Sequence, residues 1–226
     1  MIVHVPQVLA REQIAMARAL LVDAPWADGR ATAGYQSAKV KENLQLPEES
    51  EIAQKLREIV VSALERNTLF LAAALPAHIF PPLFNRYEPG MAFGAHVDNA
   101  IRRVGGTRHR IRTDISATLF LSEPEDYDGG ELLVEDTYGT HSVKLVANDM
   151  IVYPATSLHR VTPVTRGARV CAFFWIQSLV RDDGKRTLLF DLDRSIIELS
   201  RDAPDHPALT RLTATYHNLV RRWAAP

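Results

Sequence analysis

The chain carries a single cysteine, Cys171, so no disulfide can form within it. No run stays apolar over the about 20 residues needed to span a bilayer. The start, MIVHVPQVLAREQ, lacks a basic stretch leading into an apolar one, so it does not read as a signal peptide. Neither sign of charge dominates: 26 Lys and Arg face 27 Asp and Glu, a formal net charge of -1. That balance gives no case for nucleic acid or a membrane surface as a partner. No internal repeat or low-complexity tract is visible. Together these absences place the chain in the cytoplasm as a globular protein. Cys171 sits in the apolar run VCAFFWI and reads as a small buried hydrophobe rather than a reactive thiol.

What is present is enough for one core of good size with a small appendage. The chain has 226 residues, of which 46% are apolar and 23% charged, as in ordinary globular proteins. It reads in three parts. Residues 1–77 are mainly helical in pattern. Ile14, Ala17 and Leu21 share one face of a helix that stops before Pro25. A second helix is predicted to start at Pro47, where Glu48, Glu49 and Glu51 favour the positive end of the dipole, and Ile52, Leu56, Ile59 and Ala63 continue it. Residues 78–178 change to short strands rich in β-branched and aromatic residues: IFPPLFNRY, DISATLFL, GGELLVED, HSVKLV, DMIVYP, HRVTPV and RVCAFFWIQS. Gly, Pro, Asp and Asn punctuate them, which predicts a closed or double-sheet β unit. Residues 179–226 are helical again. Asp205 is expected to cap a helix with Pro207 in its first turn, and Leu209, Leu212, Tyr216, Leu219 and Trp223 form its apolar stripe, expected to pack on the β unit.

The chemistry concentrates around His96-Val97-Asp98. Two positions apart on a strand, His96 and Asp98 point to one side and can face one ion. A third ligand must come from elsewhere, and His159, in YPATSLHRV at the start of another strand, is the candidate. Two imidazoles and one carboxylate leave coordination positions open, the arrangement of non-haem iron(II) oxygenases. Alone, a His-x-Asp pair is a weak signal. It gains weight from Arg169, ten residues beyond His159 on RVCAFFWI. An inward arginine in a β core is costly unless it meets an anion, and a dicarboxylate would supply one through two parallel bonds.

At this point HVDN, GGEL and the stretch DMIVYPATSLHRVTPVTRGARVCAFFWIQS resemble the PKHD-type (prolyl/lysyl hydroxylase-domain) bacterial hydroxylases, a prolyl 4-hydroxylase-like branch of the Fe(II)/2-oxoglutarate-dependent dioxygenases. The likeness covers about residues 78 to 178, and the C-terminal helical piece is similar to that family's appended domain. The resemblance implies a double-stranded β-helix, or jelly roll, with N-terminal helices packed on it. It implies iron held by His96, Asp98 and His159, and 2-oxoglutarate held by Arg169 with Tyr87 beside it. Phe93 stands where relatives often carry a tyrosine. The implied reaction consumes 2-oxoglutarate and O2, releases succinate and CO2, and hydroxylates a prime substrate, with L-ascorbate keeping the iron reduced. Peptidyl prolyl or lysyl residues and small molecules, including molecules of iron uptake, stay open as that substrate. So does a homo-oligomeric state.

Two other readings stand beside this one. A non-catalytic jelly roll that senses iron or 2-oxoglutarate has no reason to keep open coordination positions. A zinc hydrolase suits the ligand types but has no separate general base in view. His4, His78, His109, His141, His206 and His217 lack a paired-ligand pattern and read as ordinary histidines. Gly129 and Gly130 read as turn geometry, and Thr118 and Phe120, on one strand face, as candidate pocket lining. Residues 99–113, NAIRRVGGTRHRIRT, hold five arginines around Gly105-Gly106. Directly after the metal motif, they read either as a solvated loop or as a lid over the substrate, with the acidic turn SEPEDYDGG as a candidate partner.

Overall fold

The β-rich stretch forms two facing antiparallel sheets. The computed structural model of the chain describes residues 1–32 and 37–225. The first sheet runs, edge to edge, through Val3–Val5, Met150–Pro154, Ile115–Phe120, Arg169–Ser178, Leu83–Tyr87, Leu44–Gln45 and Ala27–Asp28, with Pro76–Ile79 also pairing to Arg169–Ser178. The second runs through Gly139–Val143, Leu132–Asp136, His159–Val161, Ala92–His96 and Lys41–Glu42. This is the jelly roll expected from the sequence.

Alternation along the central strands explains the layering. Strand Ile115–Phe120 is buried throughout, because both its faces are covered. Ile115, Ala117 and Leu119 join the core under the helices, while Phe120 turns to the core between the sheets. Strand Arg169–Ser178 does the same: Ala172, Phe174 and Ile176 face the helices, and Cys171 faces the other sheet. Cys171 is fully buried, the bland role its apolar run predicts.

The helical cover is α1 (Arg11–Val22), α2 (Glu51–Leu64) and α3 (Thr68–Ala74). Ala17 and Leu21 are buried with Ile14 packed beside them, as the spacing predicts. Helix α2 begins later than Pro47 suggests. Ser50 is its N-cap, accepting from Ala53 N, and Pro47 sits in the turn before it, its carbonyl accepting from Ser50 Oγ. A side chain that satisfies an orphan N–H marks a helix start more sharply than a first-turn proline. Leu56 and Leu64 of α2 and Phe70 of α3 are fully buried, and each such side chain contributes about 1.5–3 kcal/mol.

Two further expectations are corrected. The N-terminal part is not helical alone: Val3–Val5, Ala27–Asp28, Lys41–Glu42 and Leu44–Gln45 are strands in the two sheets. They are too short to show a period of two, and neighbouring strands select them. The C-terminal part holds α4 (Asp183–Asp202) and α5 (Ala208–Trp223): α5 lies against α4 and α4 against α3, and Phe190 of α4 packs on the core that the helices share with the first sheet. Asp182 caps α4 by accepting from Lys185 N. Asp205 does not cap α5, whose N-cap position is Pro207. Arg186 anchors α4. It is 2% exposed and donates to the carbonyls of Val180 and Arg181 and to Asp183.

Candidate active site

Strand register brings the site together. In the second sheet His159 lies directly opposite His96, so their rings meet, centroids 4.2 Å apart. His96 ends its strand, and Asp98 lies two residues past that end rather than on the strand itself. It still arrives at the same place, with His159 Nε2 3.7 Å from Asp98 Oδ2. The donor atoms of His96, Asp98 and His159 all lie within 4.8 Å of one another, a spacing that could hold one metal ion. Among the described residues no other group of three His, Cys, Asp or Glu side chains comes together in this way. His4 and His141 are engaged with Asp149 and Asp136 instead, and His78 packs edge-on against His109.

Each of the three donors is oriented by a neighbour. The Nδ1 atom of His96 lies 2.8 Å from the Gly94 carbonyl, and that of His159 3.0 Å from the Ser157 carbonyl. A carbonyl can only accept, so both Nδ1 atoms carry the proton and both Nε2 lone pairs are free for a ligand bond. Ser116 Oγ donates to Asp98 Oδ2 at 2.6 Å, fixing the carboxylate's rotation. Phe93 stacks on His96 at 3.7 Å between centroids, so packing against the ring adds to the Gly94 hydrogen bond in holding the imidazole. Burial, then the neighbouring His159, pulls the His96 imidazole down to about 4. It is therefore neutral at neutral pH, the form that binds a metal.

The second half of the site comes from the first sheet. Arg169 opens its strand opposite Tyr87 and is 1% exposed. Its Cζ sits 5.3 Å from the Tyr87 ring centroid and 5.2 Å from that of Phe120. Its Nε is buried with no hydrogen-bond partner among the described residues. A buried guanidinium held by aromatic faces, with a donor left over, fits a carboxylate ligand and would be costly without one. Burial pushes the Tyr87 hydroxyl up to about 12, so it stays protonated and able to donate. Gly129 and Gly130 do not form a turn but take left-handed backbone, with φ of +69° and +67°, where the register of strand Tyr127–Gly129 shifts, and Gly130 packs on the site. A Cβ there would stand 3.1 Å from Arg169 Cδ.

These residues line one cavity between the sheets, about 70 Å³ in internal volume. Thr118 lines it as expected, and so does Arg102 of the arginine-rich segment, together with Lys41, Asn85, Ser116, Tyr153, Phe173 and Trp175, which no motif marks. Ser116 was within reach, because it shares a strand face with Thr118. Lys41 gave no signal, since it sits in a two-residue strand. The arginine-rich segment is a hairpin, Ile101–Arg103 paired with Arg110–Arg112. Its arginines diverge. Arg102 turns into the cavity, its Cζ 4.0 Å from the Trp175 ring centroid, whereas Arg103 donates to the Thr107 carbonyl and Arg112 pairs with Asp114. The acidic turn is not their partner: Glu123 meets Arg18, and Asp128 meets Arg166.

With the geometry in place, comparison with known proteins gives the class and then the family. Residues 82–177 match the 2OG-Fe(II) oxygenase superfamily, and residues 183–225 match the PKHD-type hydroxylase C-terminal domain. Over 224 residues the chain is 60% identical to a PKHD-type hydroxylase of Saccharophagus degradans, covering 99% of each chain. Over 225 residues it is 62% identical to one of Phenylobacterium zucineum, again 99% of each. A solved prolyl-4-hydroxylase of Pseudomonas putida shares the fold, with a TM-score of 0.53 at 20% identity over 78% of this chain and 92% of that one. The chain belongs to the PKHD-type hydroxylase family. It is an Fe(II)- and 2-oxoglutarate-dependent dioxygenase, which decides against the sensing module and the zinc hydrolase. No helix among the described residues is long and apolar enough to cross a membrane.

Proposed function

We propose that His96, Asp98 and His159 hold the iron and that Arg169, with Tyr87 beside it, holds the far carboxylate of 2-oxoglutarate. The observation that carries this assignment is the register that sets His159 against His96, with both Nδ1 atoms tied to carbonyls. Two imidazoles and one carboxylate leave room on the metal for cosubstrate and oxygen. When bound, iron(II) supplies the redox chemistry that couples decarboxylation of 2-oxoglutarate, to succinate and CO2, to hydroxylation of the prime substrate.

The chain's own residues supply geometry, charge and exclusion of water. Ser116 and the two carbonyls hold the donors in place. Arg169 and the protonated Tyr87 orient the cosubstrate from the far end. Phe93, Phe173 and Trp175 form apolar walls that keep bulk water from the centre. The prime substrate is a peptidyl prolyl or lysyl side chain or a small molecule that reaches this cavity. Residues 78–178 form the catalytic unit, 1–77 its support and 179–226 a helical appendage, and the buried lone thiol suits the cytoplasm.

The test is anaerobic titration of iron(II) into the purified protein, followed by calorimetry. His159→Ala should lose most of the affinity. Ser116→Ala should lose about ten- to a hundredfold, the usual loss when a group that orients a ligand is removed. Wild-type affinity in His159→Ala would overturn the ligand assignment.

A further inference from the structure

We propose that Asn85 is a further cosubstrate-binding residue, its side-chain amide donating to the far carboxylate of 2-oxoglutarate beside Arg169 and Tyr87; this rests on the reading of the site proposed above.

An asparagine on the inner face of a β core needs a reason. Asn85 is 7% exposed and lines the cavity. Its Oδ1 is sealed from water with no hydrogen-bond partner among the described residues. Burying an amide without partners is costly, and a ligand that the amide meets offsets part of that cost.

Strand register places Asn85 at the Arg169 end of the cavity. On strand Leu83–Tyr87, Asn85 and Tyr87 are two positions apart and project from one face. Tyr87 lies opposite Arg169, and Asn85 lies opposite Cys171, whose other neighbour is Phe120. The Arg169 guanidinium rests against that Phe120 ring, so it reaches the level of the row formed by Asn85, Cys171 and Phe120. Amide, guanidinium and the protonated Tyr87 hydroxyl thus border one end of the cavity. The metal end lies farther along. Ser116, which donates to Asp98, is opposite Trp175, and Trp175 stands about 13 Å beyond Cys171 along the strand.

The donors at this end select the ligand. A carboxylate offers about four lone-pair sites on its two oxygens. Arg169 can fill two of them with parallel N–H donors, and the Tyr87 hydroxyl can fill a third. The NH2 of Asn85 matches what is left. An amide turns about its last bond at little cost, so it can present that NH2 to an anion. Being neutral, it adds a donor without a second buried charge to desolvate.

The probes are 2-oxoglutarate and 2-oxopentanoate, which keeps the keto-acid end and the chain length but ends in a methyl group. Each is titrated into full-length protein loaded with manganese(II), and binding is read from the relaxation that the metal imposes on the ligand's protons. Asn85→Leu keeps the shape of the side chain and removes its donors. It should weaken 2-oxoglutarate about tenfold, and it should not weaken 2-oxopentanoate or manganese by more than twofold. Asn85→Ala, which removes the amide without adding apolar bulk, should show the same selective loss. Ligand-free Asn85→Leu should unfold in urea no earlier than wild type, because the amide it loses has an unpartnered carbonyl. Unchanged 2-oxoglutarate binding in both variants, or an equal loss of the two keto acids, would overturn the proposal. So would a ligand-free Asn85→Leu that unfolds well before wild type, by making Asn85 a structural residue. Arg169→Met, titrated alongside, separates the two assignments: wild-type 2-oxoglutarate affinity there refutes the Arg169 reading, whereas wild-type affinity in the Asn85 variants alone refutes only this one.

Discussion

Replacing Arg169 with Met separates a binding role from a structural one. Met has similar reach and can keep contact with the Tyr87 and Phe120 rings, but it carries neither charge nor donors. In the wild type the guanidinium is buried at 1% exposure with Nε unpartnered. A charged hydrogen-bonded pair contributes about 1.5–3 kcal/mol, so Arg169→Met should weaken 2-oxoglutarate roughly ten- to a hundredfold. The folding effect has the opposite sign. A buried charge awaiting its carboxylate is a burden on the ligand-free fold, and exchanging buried charge for apolar packing is neutral to favourable by about 1–4 kcal/mol. The ligand-free variant should therefore be as stable as wild type or more so. Adding 2-oxoglutarate at a hundred times its wild-type Kd should stabilise wild type by about 2.7 kcal/mol and the variant by far less. Calorimetric titration with manganese(II) present gives the first number, and urea unfolding with and without 2-oxoglutarate gives the second. Wild-type affinity in Arg169→Met would refute the assignment. A ligand-free variant destabilised by more than about 2 kcal/mol would instead make Arg169 a structural arginine.

Lys41 predicts a pH dependence of stability. Burial, followed by Arg102, pulls its ammonium from the ordinary 10.5 down to about 8. Below pH 8 it is charged in both native and unfolded chains, and the fold carries the whole penalty. Between pH 8 and 10.5 the native chain sheds this proton first, so the unfolded chain binds more protons and stability rises with pH. Lys41→Met should be more stable than wild type at pH 7, and the gap should close by about 3 kcal/mol as pH reaches 10.5; a gap that stays constant in urea unfolding refutes the cause. Gly130→Ala should cost more than about 1 kcal/mol, because φ is +67° and the new Cβ would stand 2.9 Å from Val164 Cγ2. It should also weaken 2-oxoglutarate by pressing on Arg169, and a variant with wild-type thermal stability would show that this position tolerates a side chain.

Much of the site was legible because its signals are local. The His96–Asp98 spacing, a histidine opening a later strand and an inward arginine on RVCAFFWI each carry their own chemical reason. The jelly roll was legible because short, punctuated apolar strands have few ways to bury two faces. The element boundaries that failed were those in which a cap or a neighbour decides: Ser50 rather than Pro47 starts α2, and two-residue strands form only where a partner strand waits. The tertiary structure alone decided the register that places His159 against His96, and the capture of Asp98 by Ser116. It alone decided which arginine of the hairpin enters the cavity. Five arginines look alike in sequence, yet Arg102 meets Trp175 while Arg112 meets Asp114. Charge and spacing are properties of a segment. Which charge is desolvated depends on what the rest of the chain packs around it, and no segment carries that by itself.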